Sequence, residues 1–174
     1  VIASSFVAVQ PAIAQKHNVK DVFQKIEKLA EGLVGRIGVA AQEIGGDEVI
    51  AVNGDETFAM ASTYKVAIAT TVLDRVDRGE LSLDQLVEVP LDMYVTGVIA
   101  LAETFPHPGI QLSVANLIEV MITESDNTAT DVCMGLAGGP AAVTKNLRRL
   151  GITDFRVDRT TREILMDFYG LSGA

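Results

Sequence analysis

The chain has no tryptophan and a single cysteine, Cys133, among its 174 residues. One thiol cannot build an intrachain disulfide framework, and a buried, inert side chain is its ordinary state. No apolar run reaches membrane-spanning length, because charges interrupt every stretch. There is no Lys/Arg cluster, and a net charge of −9 argues against nucleic acid as a partner. The two histidines, His17 and His107, stand far apart, and no Cys/His/carboxylate group has ligand spacing. No metal site is therefore expected, and no glycine-rich phosphate loop is present. What remains is a globular composition, 48% hydrophobic and 5% aromatic. The length suits one domain with a real core, or one domain and part of another.

Residues 1–14 carry no charge and end in Ala12-Ile13-Ala14 before the polar Gln15-Lys16-His17-Asn18. A small-residue A-x-A site after an apolar stretch is a signal-peptidase pattern, so residues 1–14 read as a clipped signal peptide and the protein as exported. The alternative, an apolar N-terminal helix, is weakened by Pro11. From Val19 to Leu33, Val22, Ile26, Leu29, Ala30 and Leu33 recur at helical spacing, and Gly35 ends the pattern. Ile37, Val39 and Ala41 then alternate with polar or small residues, Gly45-Gly46 turns the chain, and Val49-Ile50-Ala51-Val52 returns as a hairpin.

The segment from Ser62 to Asp77 reads as a helix buried on most sides, stopped by Gly79. Residues 90–112, with Pro90, Gly97, Pro106, Pro108 and Gly109, read as a long irregular loop. Ser113 caps a helix with Val114, Leu117, Ile118 and Met121 inward. A short helix follows over 128–137, and Pro140 opens another that runs to Leu150. The pattern assigns nothing to residues 155–174.

Two strings carry chemistry. In Ser62-Thr63-Tyr64-Lys65 the lysine lies on the same helix face as the serine, as a neighbouring base must. The helix N-terminus favours a developing oxyanion and disfavours protonated lysine. By itself the string is weak, since about one S-x-x-K arises by chance in a chain this long. A serine N-cap beside a surface lysine is the bland alternative. Ser125-Asp126-Asn127 is rarer; its serine offers a proton relay and its asparagine an amide, although an Asx turn capping the next helix would look the same.

With these strings and their flanks, the chain resembles the class A serine β-lactamases. The resemblance is carried by the run from Phe58 to Lys65, by the run from Ile122 to Ala129, by Gly138-Gly139-Pro140, and by Val157-Asp158-Arg159, which is similar to the start of the family's omega loop. It covers residues from about 20 to 165. It implies an α/β (α+β) fold of the serine β-lactamase and penicillin-binding-protein kind: a helical block plus the N-terminal hairpin of an antiparallel sheet. On that reading residues 15–60 form the N-terminal helix and hairpin, and 61–174 the mainly helical part with the active site.

The resemblance further implies hydrolysis of β-lactams through an acyl-serine, without cofactor or metal, by a monomeric periplasmic or secreted enzyme. Ser62 would be the nucleophile, Lys65 its base, and Ser125 the donor to the leaving nitrogen. Asn127 would bind the substrate amide, Asp126 would be a buried structural carboxylate, and the Ser62 N–H one arm of the oxyanion hole. Tyr94 reads either as a cleft-rim aromatic or as a plain loop tyrosine. Arg159 would pin its loop by an ion pair.

Two departures from the pattern matter. The family's deacylating glutamate stands two residues after the loop arginine, where this chain has Thr161. Glu163 is the nearest candidate, as a catalytic residue or as a surface glutamate. No Lys-Thr-Gly string occurs, so the closing strands are expected to lie beyond this chain, which would be inactive alone. The alternatives are a D-Ala-D-Ala peptidase-like acyl-enzyme former with slow deacylation, and a non-catalytic remnant.

Overall fold

Two units divide between Ala59 and Met60 in the computed structural model, which describes residues 19–170. The expected signal-peptide segment 1–14 lies outside the described residues. In the first unit, α1 (Val19–Ala30) lies against a two-stranded antiparallel hairpin, β1 (Val39–Gln42) and β2 (Val49–Val52). Val39 faces Val52 and Gln42 faces Val49, the register that a turn centred on Gly45-Gly46 sets. Beyond the hairpin, Arg36 pairs with Glu56 at 2.9 Å and stacks its guanidinium over the Phe58 ring.

The second unit is mostly helical. A 3₁₀ turn, Ala61–Tyr64, runs directly into α2 (Lys65–Asp77). There follow β3 (Leu86–Glu88), the short α3 (Ala100–Thr104), β4 (Gln111–Ser113), α4 (Val114–Thr123), α5 (Asn127–Ala137), α6 (Pro140–Arg149) and α7 (Thr161–Phe168). α5 lies at the centre, in contact with α2, α4, α6 and α7. Its sequence permits this, because Ala129, Thr130, Val132, Cys133 and Ala137 are small enough for neighbouring helices to approach from several sides. Burial pushes the Cys133 thiol up to about 12, so it stays protonated at neutral pH. Ile68 and Val72 of α2, Leu117 and Met121 of α4, and Val143 of α6 close the core without exposure.

Helix ends follow side-chain chemistry. The Ser113 hydroxyl accepts the Asn116 N–H at 3.2 Å and starts α4. Gly138, at φ +94°, ends α5 in the left-handed conformation, and Pro140 opens α6 at a position that needs no N–H donor. Asp126 has no exposed surface; one carboxylate oxygen accepts Ala129 N–H at 2.7 Å and caps α5, and the other accepts Leu101 N–H at 2.9 Å from α3.

Two expectations need correction, and one unassigned stretch gains a helix. The supposed loop over 90–112 contains α3 and a strand, β4, that pairs antiparallel with β3. Strands of three residues are too short for alternation to announce them. Residues 161–168, left unassigned, form α7. α2 is less enclosed than its composition implies: Val66 is 61% and Leu73 41% exposed, whereas Thr71 is buried with its hydroxyl satisfied by Ala67 O at 2.9 Å.

The double acceptor role of Asp126 is testable. Asp126→Ala leaves two buried N–H groups without acceptors and should lower stability by about 3 kcal/mol. The urea midpoint of the variant measures this, and an unchanged midpoint contradicts the role.

Candidate active site

The 3₁₀ turn sets Ser62 at the mouth of a cavity. Ala61 before it is at φ +46°, unusual for a residue with a side chain, and the turn is closed by Thr63 Oγ1 donating to Met60 O at 2.6 Å. Ser62 itself is exposed, and its backbone N–H has no acceptor among the described residues. Three residues on, Lys65 is only 2% exposed at the start of α2.

Lys65 Nζ donates to Ser125 O at 2.6 Å, Ser125 Oγ at 3.0 Å and Asn127 Oδ1 at 3.2 Å. Three acceptors match the three N–H bonds of an ammonium. Burial nevertheless holds its pKa below the ordinary lysine value, partly offset by the charges of Asp126 and Asp131. Lys65 makes no hydrogen bond to Ser62 among the described residues; the link runs through Ser125 Oγ, which donates to Ser62 Oγ at 3.0 Å. The helical i, i+3 spacing brings the amine near the serine, and a second serine joins them. Ser125, at φ +56°, turns its carbonyl toward the lysine.

Asn127 is buried and committed at both ends of its amide. Oδ1 faces Lys65, while Nδ2 donates to Thr96 O at 2.8 Å and the Asn127 backbone N–H donates to Val98 O at 3.0 Å. Between those carbonyls, Gly97 sits at φ +98°, where a Cβ would lie 2.7 Å from Asn127 Nδ2. Only glycine permits that approach.

A second group of residues was not singled out from the sequence. The Tyr64 hydroxyl and Thr161 Oγ1 are 2.7 Å apart, and both side chains line the cavity. Burial raises the Tyr64 pKa, so the phenol stays neutral. The Asp131 carboxylate accepts Thr161 N–H at 2.7 Å and Arg162 N–H at 3.0 Å, which fixes the start of α7 against α5. Tyr94 is half-buried, with its hydroxyl donating to Phe105 O at 2.7 Å.

Glu163 is not brought to the serines. Its carboxylate accepts Thr160 N–H at 2.8 Å, while Thr160 Oγ1 accepts Glu163 N–H at 3.3 Å, a reciprocal capping box at the head of α7. The string Thr160-Thr161-Arg162-Glu163 carries that signature in the sequence. Arg159 forms an ion pair with Asp167 of α7, half exposed on both sides. Asp158, paired with Arg156 at 2.8 Å, is the carboxylate that lines the cavity among the described residues.

The cavity has a volume of about 610 Å³ and is walled by Met60, Val98, Val157, Ile164 and Leu165, with Ser62, Tyr64, Asn127 and Thr161 as neutral polar points and Arg156, Asp158 and Arg159 as charged ones. That is the size and character of a small-molecule site. A hydroxyl nucleophile, a hydroxyl relay, a buried amine and an uncommitted backbone N–H suit acyl transfer. Among the described residues no group of three or more His, Cys, Asp or Glu side chains is arranged to hold a metal.

Comparison with known proteins agrees with this geometry. The sequence model of the β-lactamase enzyme family matches residues 21–172. The chain belongs to the β-lactamase enzyme family. It is 30% identical to β-lactamase VEB-1 of Pseudomonas aeruginosa over 169 residues, 97% of this chain and 55% of that protein. It is 35% identical to β-lactamase L2 of Stenotrophomonas maltophilia over 137 residues, 78% of this chain and 44% of that protein. Among solved structures, an ancestral class A β-lactamase (GNCA) superposes with a TM-score of 0.73 at 36% identity, covering 82% of this chain and 54% of its own. A β-lactamase from Chitinophaga pinensis gives 0.76 at 29% identity, covering 83% and 54%. The chain thus spans about half the length of the β-lactamases it matches. These likenesses agree with the helix-rich fold and small antiparallel sheets described above.

The two readings of Glu163 in this β-lactamase-family chain separate by substitution. A capping box accepts glutamine as well as glutamate, so Glu163→Gln should keep stability while Glu163→Ala loses about 1 kcal/mol. Thermal denaturation of both variants, with amide exchange at the start of α7, is the measurement. Equal losses in the two would contradict the capping role.

Proposed function

We propose that the protein hydrolyses β-lactams through an ester on Ser62. The observation that carries this reading is the hydrogen-bonded chain Lys65–Ser125–Ser62 at the mouth of an apolar cavity, in a chain of the β-lactamase family. Neutral Lys65 takes a proton from Ser125 Oγ as Ser125 takes the proton of Ser62. Ser62 Oγ bonds the β-lactam carbonyl carbon, and the Ser62 N–H stabilises the oxyanion. The C–N bond then breaks, and the proton returns along Lys65 and Ser125 to the leaving nitrogen. Water cleaves the acyl ester, releases the opened product and restores Ser62. Asn127 aligns the substrate amide with the second N–H of Nδ2, because the first is held by Thr96 O. Asp126 and Arg159 are structural in this reading. Export to the periplasm or the medium as a monomer completes it, supported by the Ala12-Ile13-Ala14 pattern and by −9 net charge.

Fluorescent penicillin tests the acylation step. The protein should be labelled stoichiometrically, and Ser62→Ala should remove the label; labelling elsewhere would refute Ser62 as nucleophile. With nitrocefin, a chain that carries the expected closing strands should turn over beyond one equivalent, whereas residues 1–174 alone should show no turnover. A single stoichiometric burst would point instead to a peptidase-like acyl-enzyme former.

The charge environment of Lys65 makes a separate prediction. Its pKa is lowered by burial, so the neutral amine is populated, and acylation accelerates, at lower pH than an ordinary lysine allows. The Asp131 charge pulls the pKa back up, so its removal in Asp131→Asn should shift the rising limb of acylation rate against pH to lower pH. Stopped-flow acylation across pH reads the shift. A limb that stays in place or moves upward refutes Lys65 as the titrating base.

A further inference from the structure

A second hollow, of about 400 Å³, lies between α2 and α6, away from the serine cavity. Arg75 and Arg78 from the end of α2 face Lys145 and Arg149 of α6 across it. Its floor is polar and buried: Asn146 Nδ2 donates to Thr71 Oγ1 at 3.4 Å, with Asn146 7% and Thr71 3% exposed. Two carboxylates hold the cations in place. Glu80 pairs with Arg75 at 3.0 Å and with Arg78 at 2.9 Å, and Asp74 pairs with Arg78 at 3.0 Å and with Arg149. Four cations against two carboxylates leave a surplus of two positive charges, in a chain whose net charge is −9.

The network is arranged but not saturated. Arg75 Nη1 donates to Leu136 O at 2.7 Å, and Arg149 Nε donates to Asn146 Oδ1 at 3.2 Å. Arg75 Nε also donates to Glu80 at 3.0 Å, and Arg149 Nη2 to Asp74 and to Asn146 Oδ1, so one terminal nitrogen of each guanidinium is left over. Arg75 Nη2, Arg149 Nη1 and Lys145 Nζ make no hydrogen bond or ion pair among the described residues. Neither pairing of Arg78 is aligned as a hydrogen bond, and Asp74 Oδ2 is buried without an aligned donor. Guanidinium groups fixed through two of their three nitrogens, with the third uncommitted, are donors suited to an oxyanion with several acceptor oxygens.

We propose that the hollow between α2 and α6 binds a dianionic phosphate group, as free phosphate or on a small ester. Two surplus charges balance a dianion, and its oxygens can accept from Arg75, Arg149 and Lys145 together. The hollow is larger than inorganic phosphate alone, so a small organic substituent fits beside it. Chloride, with the same screening effect but no directional acceptors, is the discriminating control.

Titration of the chain with inorganic phosphate, glycerol 3-phosphate and sodium chloride at matched ionic strength, followed by backbone amide chemical shifts, tests the site. Saturable shifts confined to the C-terminal half of α2 and to α6 are expected with the two phosphates and not with chloride. Tighter binding of glycerol 3-phosphate assigns the site to an ester, and equal or weaker binding assigns it to the free anion. Lys145 is exposed and unpaired among the described residues, so Lys145→Gln leaves the fold intact and should weaken phosphate binding about tenfold or more. Unsaturable shifts, an equal response to chloride, or undiminished binding by Lys145→Gln would overturn the proposal.

Discussion

With no exposed surface, the Asp126 carboxylate accepts the Ala129 N–H of α5 through one oxygen and the Leu101 N–H of α3 through the other, and the geometry of the serine cavity follows from that anchorage. Capping α5 at Asp126 fixes the residues on either side. Asn127 begins the helix with its amide turned to Lys65, and Ser125 is left outside it in a left-handed turn. The same carboxylate lies close enough to Lys65 to offset part of the cost of burying an amine. One buried charge therefore acts twice, as a hydrogen-bond acceptor for backbone and as an electrostatic partner for a side chain it does not touch.

The polarity of the hydrogen-bonded chain bears on the proposed chemistry. At rest, Lys65 donates to Ser125 and Ser125 donates to Ser62, so the hydrogen bonds run toward Ser62. Proton removal from Ser62 needs the opposite direction. The lysine must first lose a proton and both hydroxyls must rotate, which makes the charge state of one buried amine the control on the whole chain. Three acceptors favour the ammonium and burial favours the amine, so two opposing influences meet at one buried nitrogen.

Local features could be read from the sequence, and long-range ones could not. The Ser62–Lys65 pair and the Ser125–Asn127 string were visible because each places its groups within one turn of a helix start. The Ser113 cap and the hairpin around Gly45 were visible for the same reason. The Tyr64–Thr161 contact joins residues 97 positions apart, and no periodicity encodes it. The aspartate that holds α7, Asp131, lies in the middle of another helix, where a single acid attracts no notice. Glu163 is a different case: its capping signature is local and legible, three residues after Thr160, whereas its absence from the serine cavity depends on how α7 packs. β3 and β4, at three residues each, carry too little pattern to read.

Ala61 and Ser125 stand next to the reacting groups with positive φ, a conformation that costs residues with side chains of order 1–3 kcal/mol each. That strain is sustained by packing elsewhere, chiefly around α5. A loosening of the core too slight to melt the helices is therefore enough to let these two residues relax into ordinary backbone. The serine, its relay and the lysine would then lose their alignment while most of the secondary structure persists. On heating, the alignment of these three side chains is expected to be lost before the helices around them melt.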